Sequence, residues 1–256
     1  MYPIGKEVLT QQGYWVTIVE CFTWNNYTVR FDNGFELTNV TKKIIENGNI
    51  LYPFHPTVFG VGYLGVGKYS STSKTTRTNK GLSKAYAIWQ GMLGRCYCPI
   101  IQGRQPTYKG DTVHPYWLNY QNFARWFDKH YIDGFAISKN ILYKNCTEYS
   151  EDSCCFVPME INNSFIKRKL TKNEYPAGVD GANGKFKSQI TTMRYTKKGA
   201  VRDFEYFGVF GTVEDAFLPY KQAKEKSLKR QARAWKEKLH PKTYKALMNY
   251  KVEMTD

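Results

Sequence analysis

The sequence predicts an α+β protein in three parts: a small N-terminal β-barrel, a centre of helices around a hairpin-plus-helix unit, and a C-terminal three-stranded sheet followed by a long helix. Three observations predict it. Short aromatic strands joined by tight turns fill the first 66 residues. Apolar residues recur at three- and four-residue steps through the centre. Past Tyr175 the pattern switches to short strands and then to one long amphipathic helix. A hydrophobic fraction of 42% supplies enough apolar surface for packed cores, which excludes wholesale disorder.

Residues 1–66 alternate as strands do. Tyr14, Val16 and Ile18 share one parity, as do Tyr27, Val29 and Phe31, with a turn at Asn25-Asn26 between the two runs. A second turn at Asp32-Asn33-Gly34 leads to Phe35 and Leu37. So many short strands in so few residues predict an SH3-like barrel, serving as an interaction module for a protein partner or as a packing scaffold. Residues 67–84 have the Ser, Thr, Gly and Lys composition of a linker. Lys74, Arg77 and Lys80 make it either a solvated tether or a basic arm that orders along phosphates.

The central part spans 85–170. Ala85, Ile88, Trp89, Met92 and Leu93 mark a helix over 83–96, with Ser83 as its N-cap, and Phe123, Trp126 and Phe127 mark a second over 119–129. Residues 135–156 read as a two-stranded hairpin, and Pro158-Met159-Glu160 opens a helix through Ile161 and Phe165. In the last part, 171–256, strands are predicted at Ala177–Val179, Lys185–Met193 and Phe204–Phe210. Thr212-Val213-Glu214-Asp215 then starts the long helix, which Pro219 should kink or delay.

Charge decides the class of partner. The chain carries a net +15, and the charge is graded along it. Four basic residues face five acidic ones in 1–66, twelve face seven in 67–165, and 21 face ten in 166–256. Such a gradient points to a polyanion held by the C-terminal end, nucleic acid before an anionic membrane surface. No apolar run reaches the roughly 18 residues of a membrane span and no signal-peptide core follows Met1, so the expectation is a soluble protein of the cytoplasm. The six cysteines read as reduced thiols. Cys96/Cys98 and Cys154/Cys155 lack the spacing of zinc knuckles. His114 and His130 read as packing or surface residues.

The ordered motifs carry a resemblance. Ala87-Ile88-Trp89-Gln90-Gly91-Met92-Leu93-Gly94-Arg95-Cys96-Tyr97, then Phe123-Ala124-Arg125-Trp126, Ile137-Ser138-Lys139-Asn140-Ile141-Leu142 and Cys154-Cys155-Phe156-Val157-Pro158-Met159-Glu160-Ile161-Asn162 together resemble the HNH-endonuclease-like proteins of bacteriophages. The segment with Gly178-Val179, Gly184-Lys185-Phe186 and Tyr206-Phe207-Gly208-Val209-Phe210 is similar to the DNA-binding domain of plant ethylene-response factors, which also occurs fused to phage homing endonucleases. An N-terminal barrel accompanies this pair in many phage proteins. The resemblance implies an HNH-like ββα centre, double-stranded DNA as partner, the infected bacterial cytoplasm as location, and Mg²⁺ or another divalent cation if the protein is catalytic. It assigns Lys139 to the position of the base and Asn162 to catalysis and metal ligation, with Asn140 as a second ligand. Ser138 and Asn140 stand where such proteins usually carry Asp, so the hairpin offers the cation no carboxylate.

The C-terminal sheet is expected to touch DNA. Lys185, Lys187 and Gln189 alternate on one face of its middle strand, suited to base edges and phosphates. Arg194, Lys197, Lys198 and Arg202 are placed in a long loop between Thr191 and Asp203. Three functional readings stand at this point: a metal-dependent DNA endonuclease or nickase, a DNA binder that has lost the metal site, and an RNA or ribonucleoprotein binder using its aromatic residues for stacking.

Overall fold

The computed structural model describes residues 1–74, 80–165, 175–196 and 199–255. The N-terminal part is a four-stranded antiparallel meander of β1 (Glu7–Leu9), β2 (Trp15–Thr23), β3 (Asn26–Phe31) and β4 (Glu36–Val40), closed below by the short helix α1 (Lys42–Glu46). Val16, Ile18, Tyr27, Val29 and Phe31 face inward with Val40, Ile45 and Ile50. The barrel expected here does not form: β1 pairs only with β2 and β4 only with β3, so the sheet is open. A barrel needs a ladder between its first and last strands. β1 has three residues, and after β4 the chain turns away into α1, with an N-cap bond from Ile44 N–H to Thr41 Oγ1. Aromatic rings do part of the work that closure would have done. Tyr14, Phe31, Phe35, Tyr52 and Phe54 pack edge to face or tilted over the sheet's end.

Within 67–84, a two-stranded hairpin, β5 (Thr72–Lys74) with β6 (Lys80–Leu82), interrupts the linker composition. It is held at its base, where Gln121 donates to Leu64 O and Tyr69 O and accepts from Tyr69 N–H. The central part follows with α2 (Lys84–Tyr97), α3 (Pro99–Arg104), β7 (Thr112–Val113), α4 (Tyr120–His130), β8 (Phe135–Ser138), β9 (Glu148–Tyr149), β10 (Cys155–Pro158) and α5 (Met159–Asn163). Ser83 caps α2 and Asn119 caps α4, each side-chain oxygen accepting a first-turn N–H. The apolar spacing of the two helices brings Trp89, Met92 and Leu93 against Trp117, Tyr120 and Phe123, all almost fully buried. Trp89 Nε1 donates to Trp117 O at 2.7 Å inside this core. His114 caps a 3₁₀ turn at the surface, and His130 stacks on Trp126.

The last part is a three-stranded antiparallel sheet of β11 (Val179–Ala182), β12 (Lys185–Thr196) and β13 (Gly199–Phe210), crossed by α6 (Val213–Ala234) and followed by α7 (Pro241–Asn249). The long loop expected between Thr191 and Asp203 is instead ladder. β12 and β13 stay paired from Phe186↔Phe210 to Thr196↔Gly199. The period-two alternation runs on through Arg194 and Arg202, and both residues therefore sit in strands. α6 begins at an N-cap on Thr212 Oγ1, which accepts from Asp215 N–H. Pro219 lies inside the helix without ending it, in the packed first half where Ala216, Phe217 and Tyr220 are buried against Val179 and Ile190. The close fit there depends on Gly178, whose φ is +81° and whose missing Cβ would sit 1.9 Å from Tyr220 Cδ2. The second half of α6 belongs to the central core, to which Ala232, Leu239 and Leu247 contribute. Glu160 of α5 ties the three elements together. Its Oε1 accepts from Trp235 Nε1 at 2.8 Å and from the Tyr195 hydroxyl of β12 at 3.3 Å.

Candidate nucleic-acid interface

Pairing register decides which side chains share a face of the C-terminal sheet, because directly opposed residues project to the same side. One side carries Phe186, Ser188, Ile190 and Thr192, which turn toward α6 and are half-buried or buried. The other side carries Lys185, Lys187, Gln189, Thr191 and Met193 on β12. Opposite them on β13 stand Val209, Tyr206, Phe204 and Arg202, through the pairs Lys187↔Val209, Gln189↔Tyr206, Thr191↔Phe204 and Met193↔Arg202. Phe204 is 62% exposed, Tyr206 52% and Val209 49%. This outer face is a row of exposed apolar and aromatic side chains bordered by Lys187 and Arg202, with Asp180 of β11 opposite Lys187 on the same side and with Arg202 and Phe204 lining a cleft shared with Asn140 and Glu160.

The sequence-derived contact residues divide on this geometry. Lys185, Lys187, Gln189 and Arg202 come together on the outer face. Arg194 falls on the other row, opposite Val201, and its Nε lies 3.5 Å from Asp203 Oδ2. Gln189 is already engaged, since its Nε2 donates to Asp180 Oδ2 at 2.6 Å. Lys74 and Lys80 pair with each other as the last rung of the β5–β6 hairpin before its connection, and Arg77, Lys197 and Lys198 lie outside the described residues. Phe204, Tyr206 and Val209 escaped the sequence reading, although Arg202, Phe204 and Tyr206 alternate with Asp203 and Glu205 in plain period two.

A second basic surface lies on α6. Eleven Lys and Arg face two Glu between residues 221 and 251. Lys226, Lys229 and Arg233 follow one another at helical spacing, opposite the buried Ser227, Leu228 and Gln231. This stripe points away from the sheet, so it does not back the outer face toward one ligand surface.

The central hairpin and helix do not supply the metal site implied by the HNH resemblance. β8 and β10 pair antiparallel and α5 follows directly, but among the described residues no group of three or more His, Cys, Asp or Glu gathers where it could hold a metal ion. Lys139 is buried, with Nζ 3.1 Å from Asp111 Oδ2 and donating to Cys146 O. The contact is ionic rather than an aligned hydrogen bond, since Asp111 Oδ2 meets no donor in hydrogen-bonding geometry. Arg95 and Lys139 both lie over the Tyr149 ring, at 5.6 and 5.5 Å from its centroid. Burial pushes the Asp111 carboxyl up, against the opposing pull of Lys139 and then Arg95. The nearest carboxylate to the hairpin lysine is thus consumed in the core. Asn140 lines a cleft toward Asn163 and Ser164 with its Oδ1 buried and unpartnered, whereas Asn162 does not line that cleft. The two amides bring no charge to a hard cation, and the carboxylates lining that cleft, Glu160 and Asp180, already accept from Trp235 and Tyr195 and from Gln189. The metal-dependent nuclease reading is therefore set aside. So is membership of the phage family as a three-part whole, whose barrel is absent. Comparison with protein-family models, with curated proteins and with solved structures returns no match.

No described helix is long and apolar enough to cross a membrane. The described chain forms no disulfide. Cys96, Cys154 and Cys155 are buried, and burial pushes each thiol up to about 12.

Proposed function

We propose that this chain is a DNA-binding protein that holds its ligand without cutting it, with the outer face of the C-terminal sheet as the contact surface. The observation that carries the reading is the shared register of Lys187, Gln189 and Arg202 on one solvent-facing row, in a chain of net charge +15. A strand-borne row of this kind can lie in a groove, with Lys and Arg on phosphates or guanine edges and Gln on adenine. The hydrogen bond from Gln189 to Asp180 fixes the amide's orientation, which favours a defined base contact over a mobile one. The reading implies action in the cytoplasm, on DNA accessible there.

The test is titration of a labelled duplex at several salt concentrations. The double variant Lys187→Ala/Arg202→Ala should weaken binding and flatten the plot of log K against log salt by about two. An unchanged slope would remove the sheet from the interface. Incubating supercoiled plasmid with Mg²⁺ or Mn²⁺ should leave it intact, and nicking that chelation abolishes would restore the nuclease reading.

A further inference from the structure

The outer face is only half accounted for by a basic, groove-reading surface. Its two central positions on β13, Phe204 and Tyr206, are aromatic and more than half exposed, and Val209 beyond them is nearly so. Leaving such rings in water forgoes the stabilisation that burial would bring, and contiguous exposure of this sort marks a docking surface. Phe204 and Tyr206 are two residues apart on one strand and on one face. That spacing sets their rings roughly 7 Å apart, close to the spacing of successive bases in an extended single strand. No described aromatic ring stacks on either of them. Arg202 precedes the pair on the same face and Lys187 follows it across the ladder, so a cation flanks each end of the row.

We infer that Phe204 and Tyr206 form a stacking platform for two consecutive unpaired bases, with Arg202 and Lys187 holding the phosphates on either side. The ligand is single-stranded DNA, or a duplex opened at that point. This rests on the nucleic-acid reading of the outer face and narrows it. A closed duplex offers its bases edge-on in the major groove and leaves both rings without a planar partner. An unpaired base has a free face, and stacking on an aromatic side chain is tolerant of sequence. Thr191, paired with Phe204 on the neighbouring strand, keeps the approach to that ring low and open. Asp203 and Glu205, of alternate parity, lie on the other row, and the acidic residue on this face, Asp180 opposite Lys187, accepts from Gln189 Nε2.

The experiment compares three labelled DNAs of one sequence with the full chain: a single-stranded 15-mer, the matching duplex, and that duplex with two central unpaired thymines. Single strand and bulged duplex should bind at least tenfold tighter than the closed duplex. Phe204→Ala and Tyr206→Ala should each lower single-strand affinity about tenfold and change closed-duplex affinity less than threefold. Both positions are exposed, so the fold should survive. Phe204→Tyr and Tyr206→Phe, which keep the ring, should retain the affinity. Equal affinity for all three DNAs, or alanine variants that bind single strands normally, would overturn the platform while leaving a duplex-binding protein. Tighter binding to RNA of the same sequence would overturn the assignment to DNA. Failure to bind any of them would overturn the platform and the underlying reading together.

Discussion

Lys139 and Asp111 form a buried ion pair, 3.1 Å from Nζ to Oδ2, with side chains only 9% and 6% exposed. A lone charge left behind in such a place is costly, whereas an apolar pair of similar volume is often tolerated. Lys139→Ala should therefore cost about 3–5 kcal/mol in urea denaturation. Lys139→Met combined with Asp111→Leu should recover most or all of that loss. If the double variant is as unstable as the single one, the pair does more than neutralise itself.

The same carboxyl makes stability depend on pH. Burial raises Asp111 above its ordinary value of 3.8. A carboxyl raised in the folded state binds its proton more tightly there than in the unfolded chain. Its contribution is complete below pH 3.8 and is lost as pH climbs through the raised folded value. Asp111→Asn cannot titrate, so its stability deficit relative to the natural chain should shrink between pH 4 and 7 in denaturant titrations at each pH. A deficit that widens would show that the charged form is the favoured one.

The six thiols should fall into two kinetic classes. Cys21, Cys98 and Cys146 are half-buried, while Cys96, Cys154 and Cys155 are buried, with thiols pushed up to about 12. Since the thiolate is the reacting species, Ellman's reagent at pH 8 should titrate at most three thiols quickly in the native chain and all six in urea. Fast reaction of a fourth would mean that the central core opens locally.

Much of this architecture can be read along the chain, and what cannot depends on contacts between distant segments. The Ser83 and Thr212 caps, the apolar faces of α2 and α4 and the alternation in β12 are local signals, and the capped helices and the start of β12 form where these signals place them, whereas β12 and β13 extend through the stretch expected to be loop. Barrel closure depends on whether β1 meets β4, which no local pattern in either strand states. The pairing of Lys139 with Asp111 spans 28 positions and joins a hairpin to a turn, so Lys139 reads in sequence as a hairpin side chain open to substrate. The outer face was half legible. Its cations stand out by charge, while Phe204 and Tyr206 resemble core residues until register shows which way they point.

Gly178 sets how closely α6 approaches the sheet that carries this face. Its φ of +81° is a left-handed backbone, and a Cβ there would stand 1.9 Å from the Tyr220 ring. Gly178→Ala therefore meets two separate penalties: left-handed strain of about 1–2 kcal/mol and a steric clash of about 1–3 kcal/mol. The two can be told apart. Tyr220→Ala removes Cγ and the ring, the atoms the new Cβ would meet, so in the double variant the clash should vanish and only the strain remain. Thermal melts should show Gly178→Ala destabilised by about 2–5 kcal/mol in the natural background but by only about 1–2 kcal/mol beyond Tyr220→Ala alone. Equal effects in both backgrounds would mean that the ring moves aside freely and does not fix the helix. The sheet face would then be held by the Trp235–Glu160–Tyr195 bridge instead, and Trp235→Phe should lower single-strand affinity where Gly178→Ala does not.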